Sequence, residues 1–542
     1  MVFVVGRTGS VRFFVFVFPA SPKVSSGDLS VDRSSGVALR AGSSGDARTR
    51  KQSIGGALLK PILKELLALF LAVLSGVLVA LAFLPWNLEW IIWVAFVPVL
   101  FALLFLRSNW LTALAQGAVF GAVFGGITFF WRLMAGAPSD WAWNVFGLAV
   151  VGSAWSTFIN RFVHLPEKPQ NKNGKLSPIL PGYGFRPEAW NASVAHLRAA
   201  LLVAAAWTFL EWARGVLFPG WNLVGTVVQK NLPLLQLVSL TGGSGLSFVV
   251  VFANLIVLTT VRRIFTEPGR MNWASRFDAL ATLAGIFAIA LFGFVTLQKQ
   301  PESGLRRIVL VSGDEVDPDR LIQISKAATT DPVDLFVWRS ARIAGSDYGK
   351  LAALGGGVVA GVPGAKEDRL GGAVVTIPGS VKNVLVTPVN ENIFQPRFRL
   401  SGRSLSPFLY KDTNWMPLLN WEGSDPLLIR AALTKGVQVP MVLAHPANSA
   451  GFQQMLANFR LWTVALGRPL IFSAGKDASA IVSRSGAMAG HDSAGPDVLV
   501  GQIDPPNPFD ATVYGQYGDW FAIACGTIAM VLAISGRLQR AS

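Results

Sequence analysis

The residues of this chain that could make or break bonds are few and scattered. The stretch from Pro417 to Pro426, PLLNWEGSDP, holds Asn420, Glu422 and Ser424, with Ser404 and Lys411 shortly before it. A serine and a lysine can act together as nucleophile and base. The Asn420 amide, by contrast, has no nucleophilic lone pair that a base can unmask. Glu211 and Arg214, in AWTFLEWARG, fall near the end of an apolar run. Charges at membrane depth must pair, snorkel or line a wet cavity, so a structural ion pair and a substrate-binding role both stay open. His164, His196, His445 and His491 are well separated, and none has a metal-binding spacing, which argues against a zinc site. His491 and Asp492 sit in a Gly/Ser-rich loop and read as solvated loop rather than as part of a triad. GGGVVAGVPGAK lacks the GK[ST] ending of a phosphate loop and TGGSGLS lacks the G-x-S-x-G elbow, so both read as turns or close packing. No cofactor is implied.

The elements that carry these residues must suit a bilayer. Of 542 residues 52% are hydrophobic and 14% charged, and the mean hydropathy is +0.47. That is too apolar for a soluble chain of this length. The net charge of +16 could suit a nucleic-acid binder, but Lys and Arg cluster at the ends of apolar blocks, which is the pattern of orientation signals. We therefore expect no nucleic-acid partner. The single cysteine, Cys525, lies in an apolar run, so no intramolecular disulfide can form.

Apolar runs long enough to span occur at about 61–84, 87–106, 112–133, 141–161, 197–217, 238–262, 277–297 and 519–535. Residues 1–60, rich in Ser, Gly and Arg, read as a disordered cytoplasmic tail. Their patch VRFFVFVFPA is too short to span, and an over-extended start or a signal peptide are the other readings. With eight spans, the basic residues around Arg48 to Lys60, Arg107, Lys168 to Arg186, Arg262 to Arg276 and Arg537 to Arg540 all fall on one side. Both termini are then cytoplasmic in the cell membrane, and the segment 298–518 is extracytoplasmic. GAVFGAVFGG spaces Gly117, Gly121 and Gly125 four apart, which favours close helix packing within one bundle.

The segment 298–518 changes character. RRIVLVSG, VDLFVWRS, GGVVAGVPG, NVLVTPVN, VPMVLAHPA and RPLIFSAGK are short β-like runs between polar or helical stretches, the pattern of an α/β domain with its own core. The organisation expected is a tail (1–60), a transmembrane bundle of seven helices (61–297), an α/β domain (298–518), a last transmembrane helix (519–535) and a short C-terminus (536–542).

FLPWNLEWIIWVAFVPVLFAL, AWTFLEWARGVLFPGWNLVG and LLQLVSLTGGSGLSFVVVFAN resemble membrane segments of the apolipoprotein N-acyltransferases. In the outer domain VDLFVWRSA resembles that family's D-L-I-I-W-P-E-S-A strand, LLNWEG its I-C-Y-E strand, and LGRPLIFSAGKDASAIVSRSG the segment that ends its nitrilase core. The resemblance implies an α-helical membrane bundle plus a nitrilase-like α-β-β-α sandwich. It also implies a reaction in which a cysteine thiolate takes an acyl chain from a membrane phospholipid and passes it to the α-amino group of a lipoprotein's diacylglyceryl-cysteine. Such chemistry needs a thiolate, a carboxylate base and an ammonium at the oxyanion. Carried over residue by residue, the base position falls on Arg339 or Ser340, the lysine position on Glu391 when anchored on Pro396, and the nucleophile on Asn420. Arg399, Ala465 and Gly475 replace further polar family residues. Trp338, Trp421 and Glu422, with Glu211 and Arg214, are the candidate binding residues.

Two classes of function compete. The leading reading is a catalytically silent member of that family that binds phospholipid or diacylglyceryl-lipoprotein, and the first competing class is an enzyme that acylates lipoproteins through a rebuilt nucleophile. The other is a membrane scaffold for a partner glycosyltransferase, since some actinobacterial relatives are associated with a polyprenol-phosphate mannosyltransferase. A transporter is disfavoured because no helix carries a series of buried charges.

Overall fold

A computed structural model describes residues 46–106, 109–165, 187–217, 223–266, 273–298, 304–313, 315–328, 330–364, 370–378, 384–386, 406–420, 422, 426–444, 449–475, 479–489 and 498–541. Six of its helices are long and apolar enough to cross a bilayer: Ile62–Ala82, Trp110–Thr128, Pro138–Phe162, Trp190–Leu217, Gly243–Phe265 and Arg276–Leu297. The first continues a helix that begins at Asp46. Residues 46–60, expected as part of a disordered tail, are therefore helical, in keeping with a stretch that has no proline and several strong helix formers.

The other two expected spans are the shorter apolar helices Glu89–Phe105 and Trp520–Ser535. The former is broken into a 3-10 turn, Glu89–Trp93, and an α-helix, Val97–Phe105. Asn254 heals the break: its Oδ1 accepts the Phe96 N–H at 3.0 Å and its Nδ2 donates to the Ile92 carbonyl at 2.8 Å. Irregular backbone in a bundle is tolerated where a side chain satisfies the freed groups. Phe96 then joins Phe120, Trp155 and Trp207 in an aromatic core, with ring centroids 5.1 Å apart for Phe96–Trp207 and 5.2 Å for Trp155–Trp207.

The glycine stripe sets the tightest helix pair. A Cβ on Gly117 would overlap the Gly152 carbonyl, and one on Gly121 the Leu148 carbonyl, so the Trp110–Thr128 and Pro138–Phe162 helices touch backbone to backbone, inside one bundle as expected.

Beyond residue 305 the chain forms two six-stranded sheets. The first has the order β12-β1-β2-β3-β4-β5, with β1 Arg306–Val311, β2 Leu335–Trp338, β3 Gly357–Pro363, β4 Leu370–Thr376, β5 Val384–Val386 and β12 Val498–Ile503. The second has the order β11-β10-β9-β8-β7-β6, with β6 Phe408–Tyr410, β7 Thr413–Leu419, β8 Val439–Leu443, β9 Leu470–Ser473, β10 Ala480–Val482 and β11 Met488–Ala489. Strands β1 to β3 and β7 to β9 run parallel. Leu310, Val337 and Val359 meet Trp415, Met441 and Ile471 in the core between the sheets. The Pro318–Ala327 helix covers the outer face of the first sheet, and the Pro426–Leu433 and Ser449–Leu466 helices cover that of the second. The result is an α-β-β-α sandwich.

The Ser449–Leu466 helix belongs to both halves. Phe459 packs on Phe472 of β9 with centroids 5.0 Å apart. From the same helix, Gln454 Nε2 donates to the Leu84 and Thr128 carbonyls at 2.7 and 3.0 Å, and its Oε1 accepts from Trp131 Nε1 at 3.0 Å. Arg460 adds a 2.8 Å bond to Gln229 Oε1. Bundle and sheet residues consequently form one continuous hydrophobic cluster. Arg468, in the GRP turn before β9, donates to the Pro508 and Asp510 carbonyls at 2.9 and 2.7 Å and so fixes the chain's return toward its last helix. Burial pushes the Arg468 guanidinium down to about 10, with Asp510 working the other way, so it keeps its charge at neutral pH.

Replacing Gly121 with Ala is expected to destabilise the bundle by about 1–3 kcal/mol, the usual range for overpacking. Gly126→Ala, whose Cβ would meet nothing closer than Trp141 at 3.8 Å, is expected to be neutral. Thermal unfolding of the two variants in detergent checks this.

Candidate functional site

Strand β7 alternates as a strand buried on both faces must. Trp415 and Leu419 enter the core between the sheets, while Met416 and Leu418 face the covering helices. It ends at Asn420, whose φ of 54° is left-handed, a conformation that asparagine accepts better than most residues. The Asn420 N–H donates to Leu443 O at 2.8 Å and extends the ladder to β8 by one residue. The turn then folds back, so that Glu422, itself buried, accepts the Leu419 N–H on Oε2 at 2.7 Å.

The Asn420 side chain reaches across to the other sheet. Its Oδ1 accepts from Leu370 N–H at 3.1 Å and its Nδ2 donates to Leu370 O at 2.9 Å. One amide thereby pairs both backbone groups at the start of β4, as another peptide would. An aspartate would set a carboxylate against the Leu370 carbonyl, and a cysteine would satisfy neither group well.

Arg339 and Ser340 follow the end of β2, and both are buried. Arg339 N–H donates to Val311 O at 3.0 Å and Ala341 N–H to Gly361 O at 2.7 Å. Gly361 in turn leaves no room for a Cβ between the Arg339 carbonyl and the Leu370 side chain. The run Ser340, Gly361, Leu370, Asn420 is thus contiguous, and the fold brings two of the three positions singled out by the sequence resemblance to one end of the sandwich. Neither side chain is a nucleophile-and-base match: a hydroxyl stands at one and an engaged amide at the other. Glu391 and Trp421 lie outside the described residues. Trp338, a candidate binding residue, is fully buried on the outer face of the first sheet and donates from Nε1 to Ser325 Oγ at 3.0 Å. That makes it core packing, because strand alternation turns it away from the inter-sheet end.

Lys411 sits at the opposite end of β7. The strand's seven residues span about 23 Å, so Lys411 cannot serve a group beside Asn420. Its ammonium bonds Asp334 Oδ1 at 2.6 Å. Burial works to raise the Asp334 pKa, but the bonds from Lys411 and the Arg307 N–H and the charges of Lys411 and Arg306 outweigh it, holding the carboxyl below its usual 3.8. A depressed folded pKa contributes stability that is present above the unfolded value and lost as pH falls through the folded one.

In the bundle, Glu211 and Arg214 are buried near the end of the Pro187–Leu217 helix. Glu211 Oε1 accepts the Val224 N–H at 2.8 Å and so anchors the 3-10 turn Val224–Val228, where Gly225 N–H also donates to Ser247 Oγ at 2.9 Å. The sequence reading missed Gln454 and Arg460, whose polarity within an otherwise apolar helix was the available signal. It also missed Leu370, whose part is played by backbone alone.

The chain thus combines a bundle of long apolar helices with a two-sheet α-β-β-α sandwich, the end of β7 and the end of β2 meeting at one edge. Residues 75–256 match the model of the apolipoprotein N-acyltransferase N-terminal domain. Apolipoprotein N-acyltransferases of Geobacter metallireducens and Shewanella oneidensis are each 24% identical, covering 85% and 88% of this chain and 94% and 97% of the relatives. The chain is therefore similar to apolipoprotein N-acyltransferases over most of its length, and residues 75–256 carry the match to their N-terminal domain. Among solved structures, an amidase from Nesterenkonia sp. AN1 covers 39% of the chain at 16% identity with a TM-score of 0.30, and a carbon-nitrogen hydrolase from Helicobacter pylori covers 40% at 13% with 0.31.

Truncating Asn420 to Ala leaves the Leu370 N–H and C=O without their partner and is expected to cost about 1–3 kcal/mol, read by chemical denaturation of the purified chain. Separately, Lys411→Met is expected to leave the sandwich less stable at pH 7 than the parent, with the difference shrinking as pH falls below about 4; a difference unchanged down to pH 2 contradicts the Asp334 pairing.

Proposed function

We propose that this chain is an apolipoprotein N-acyltransferase-like membrane protein that has lost acyl transfer and acts by binding phospholipid or diacylglyceryl-lipoprotein. The observation that carries this is the Asn420 amide, doubly bonded to the Leu370 backbone. At the place where the family resemblance calls for a thiolate, a group with no nucleophilic capacity stitches one sheet to the other. The remaining positions support the same reading, with Ser340 or Arg339 where a carboxylate base is required and Glu391 where an ammonium is required. The Lys411 geometry also speaks against a rebuilt Ser/Lys site, because it is held by Asp334 at the far end of β7.

The retained architecture supports a binding role, since packing and motif glycines persist although the reacting groups do not. Counting Glu89–Phe105 and Trp520–Ser535 with the six long helices gives eight spans, a sandwich at about 298–518 outside the cell and both termini in the cytoplasm. The distribution of Lys and Arg supports this orientation. The glycosyltransferase partner has no observation in its favour, and the loop Lys168 to Arg186 that would bind it lies outside the described residues.

The test is lipoprotein acylation in a host stripped of its own acyltransferase. The native chain is expected to leave lipoproteins diacylated, as an empty vector does. Triacylated lipoprotein formed by the native chain and lost in Asn420→Ala would sink the proposal. The combined variant Ser340→Glu, Glu391→Lys, Asn420→Cys asks whether the scaffold still accommodates the family's chemistry.

A further inference from the structure

The Trp190–Leu217, Gly243–Phe265 and Arg276–Leu297 helices are pinned together at one end and part at the other. At the pinned end Asp278 Oδ2 lies 3.0 Å from His196 Nδ1 and 3.4 Å from Arg263 Nη1, and Arg263 Nη1 also donates to Ser193 Oγ at 3.1 Å. All four side chains are buried. Ion pairs are costly in a bundle unless well satisfied, so this network fixes the helices there. Immediately beyond it the three helices separate around a cavity of about 250 Å³ lined by apolar side chains, among them Leu197, Phe248, Phe252, Ile286 and Ile289. Thr282 also lines it, but its hydroxyl donates back to the Asp278 carbonyl at 2.8 Å and leaves the wall apolar. A Cβ at Gly285 would meet nothing within 4 Å. The Arg276–Leu297 helix is the least buried of the six long helices, with only 6% of its apolar span buried.

An apolar hole of this size forfeits the dispersion contacts its walls could make, so the question is what fills it. An extended hydrocarbon chain is slim enough, and lipid is the solvent of the surface on which the cavity lies. The charge at the pinned end selects the headgroup. The charge of Asp278 is answered by Arg263, while Arg198, next to Leu197, and Arg276, at the start of the least buried helix, are exposed. Two exposed arginines at the polar end of an apolar groove complement a phosphate.

We propose that this groove holds one acyl chain of an anionic glycerophospholipid, its phosphate at Arg198 and Arg276, as a lipid site separate from the sandwich. It rests on the bundle alone, so it stands or falls independently of the silent-site reading. The test uses the full chain in nanodiscs containing phosphatidylglycerol with a diazirine midway along one acyl chain, with adducts mapped by peptide mass spectrometry. Adducts are expected on Phe248, Phe252 and Ile286. Gly285→Phe, which has room to fold and fills the groove, is expected to cut them at least fivefold while leaving adducts at the outward-facing Leu66 and Phe70 unchanged. Arg198→Gln with Arg276→Gln, both at exposed positions, is expected to erase the preference for phosphatidylglycerol over phosphatidylcholine in the groove. Groove adducts that ignore Gly285→Phe and show no headgroup preference mean bulk lipid only and overturn the proposal. Absence of groove adducts, with the helix instead protected by a second chain, overturns it too.

Discussion

The structure turns on the Ser449–Leu466 helix, which has to be apolar toward two neighbours at once. One side covers β8 and β9 through Phe452 and Phe459, and the other rests on the bundle. A helix buried on both sides has few places for polar groups, and each must be satisfied internally. Gln454 meets that demand completely, because its amide takes one indole N–H and gives to two backbone carbonyls left by the ends of membrane helices. Each such bond contributes only about 0.5–1.5 kcal/mol net, but leaving any of them unmade would cost more. The sandwich is consequently seated in one orientation on the bundle.

That seating fixes the edge where β2 and β7 end. Parallel strands deliver their C-terminal residues to the same edge of a sheet, and two face-to-face sheets bring two such edges together. The fold therefore brings the ends of β2 and β7, and with them Ser340 and Asn420, to one edge of the sandwich. In this chain that edge holds a left-handed asparagine whose amide is spent on the opposite backbone. At this edge the asparagine serves as a sheet-to-sheet tie.

The bundle was largely legible in the sequence, because a bilayer demands long apolar runs and leaves little freedom. The exception was 87–106, which reads as one continuous run yet is broken, since the Asn254 side chain that heals it lies far away in sequence. The six β-like runs singled out correspond to β1, β2, β3, β5, β8 and β9. Strand β4 was missed because Gly371 and Gly372 dilute its pattern and its burial comes from the neighbours on either side. For the site, Asn420 could be recognised as a non-nucleophile from residue type alone. Its partner could not, because Leu370 offers backbone, which every residue has. Likewise Lys411 looked close to Asn420 in sequence, and only the length of β7 separates them.

The central proposal is that no acyl group is taken up at the β2–β7 edge, where the Asn420 amide is spent on the Leu370 backbone. Its most direct test is the intact mass of the purified full chain after incubation with phospholipid bearing an isotopically labelled acyl chain. The account predicts an unchanged mass, with no label surviving denaturation. A labelled adduct one acyl group heavier, mapping to any residue of the sandwich, would contradict it.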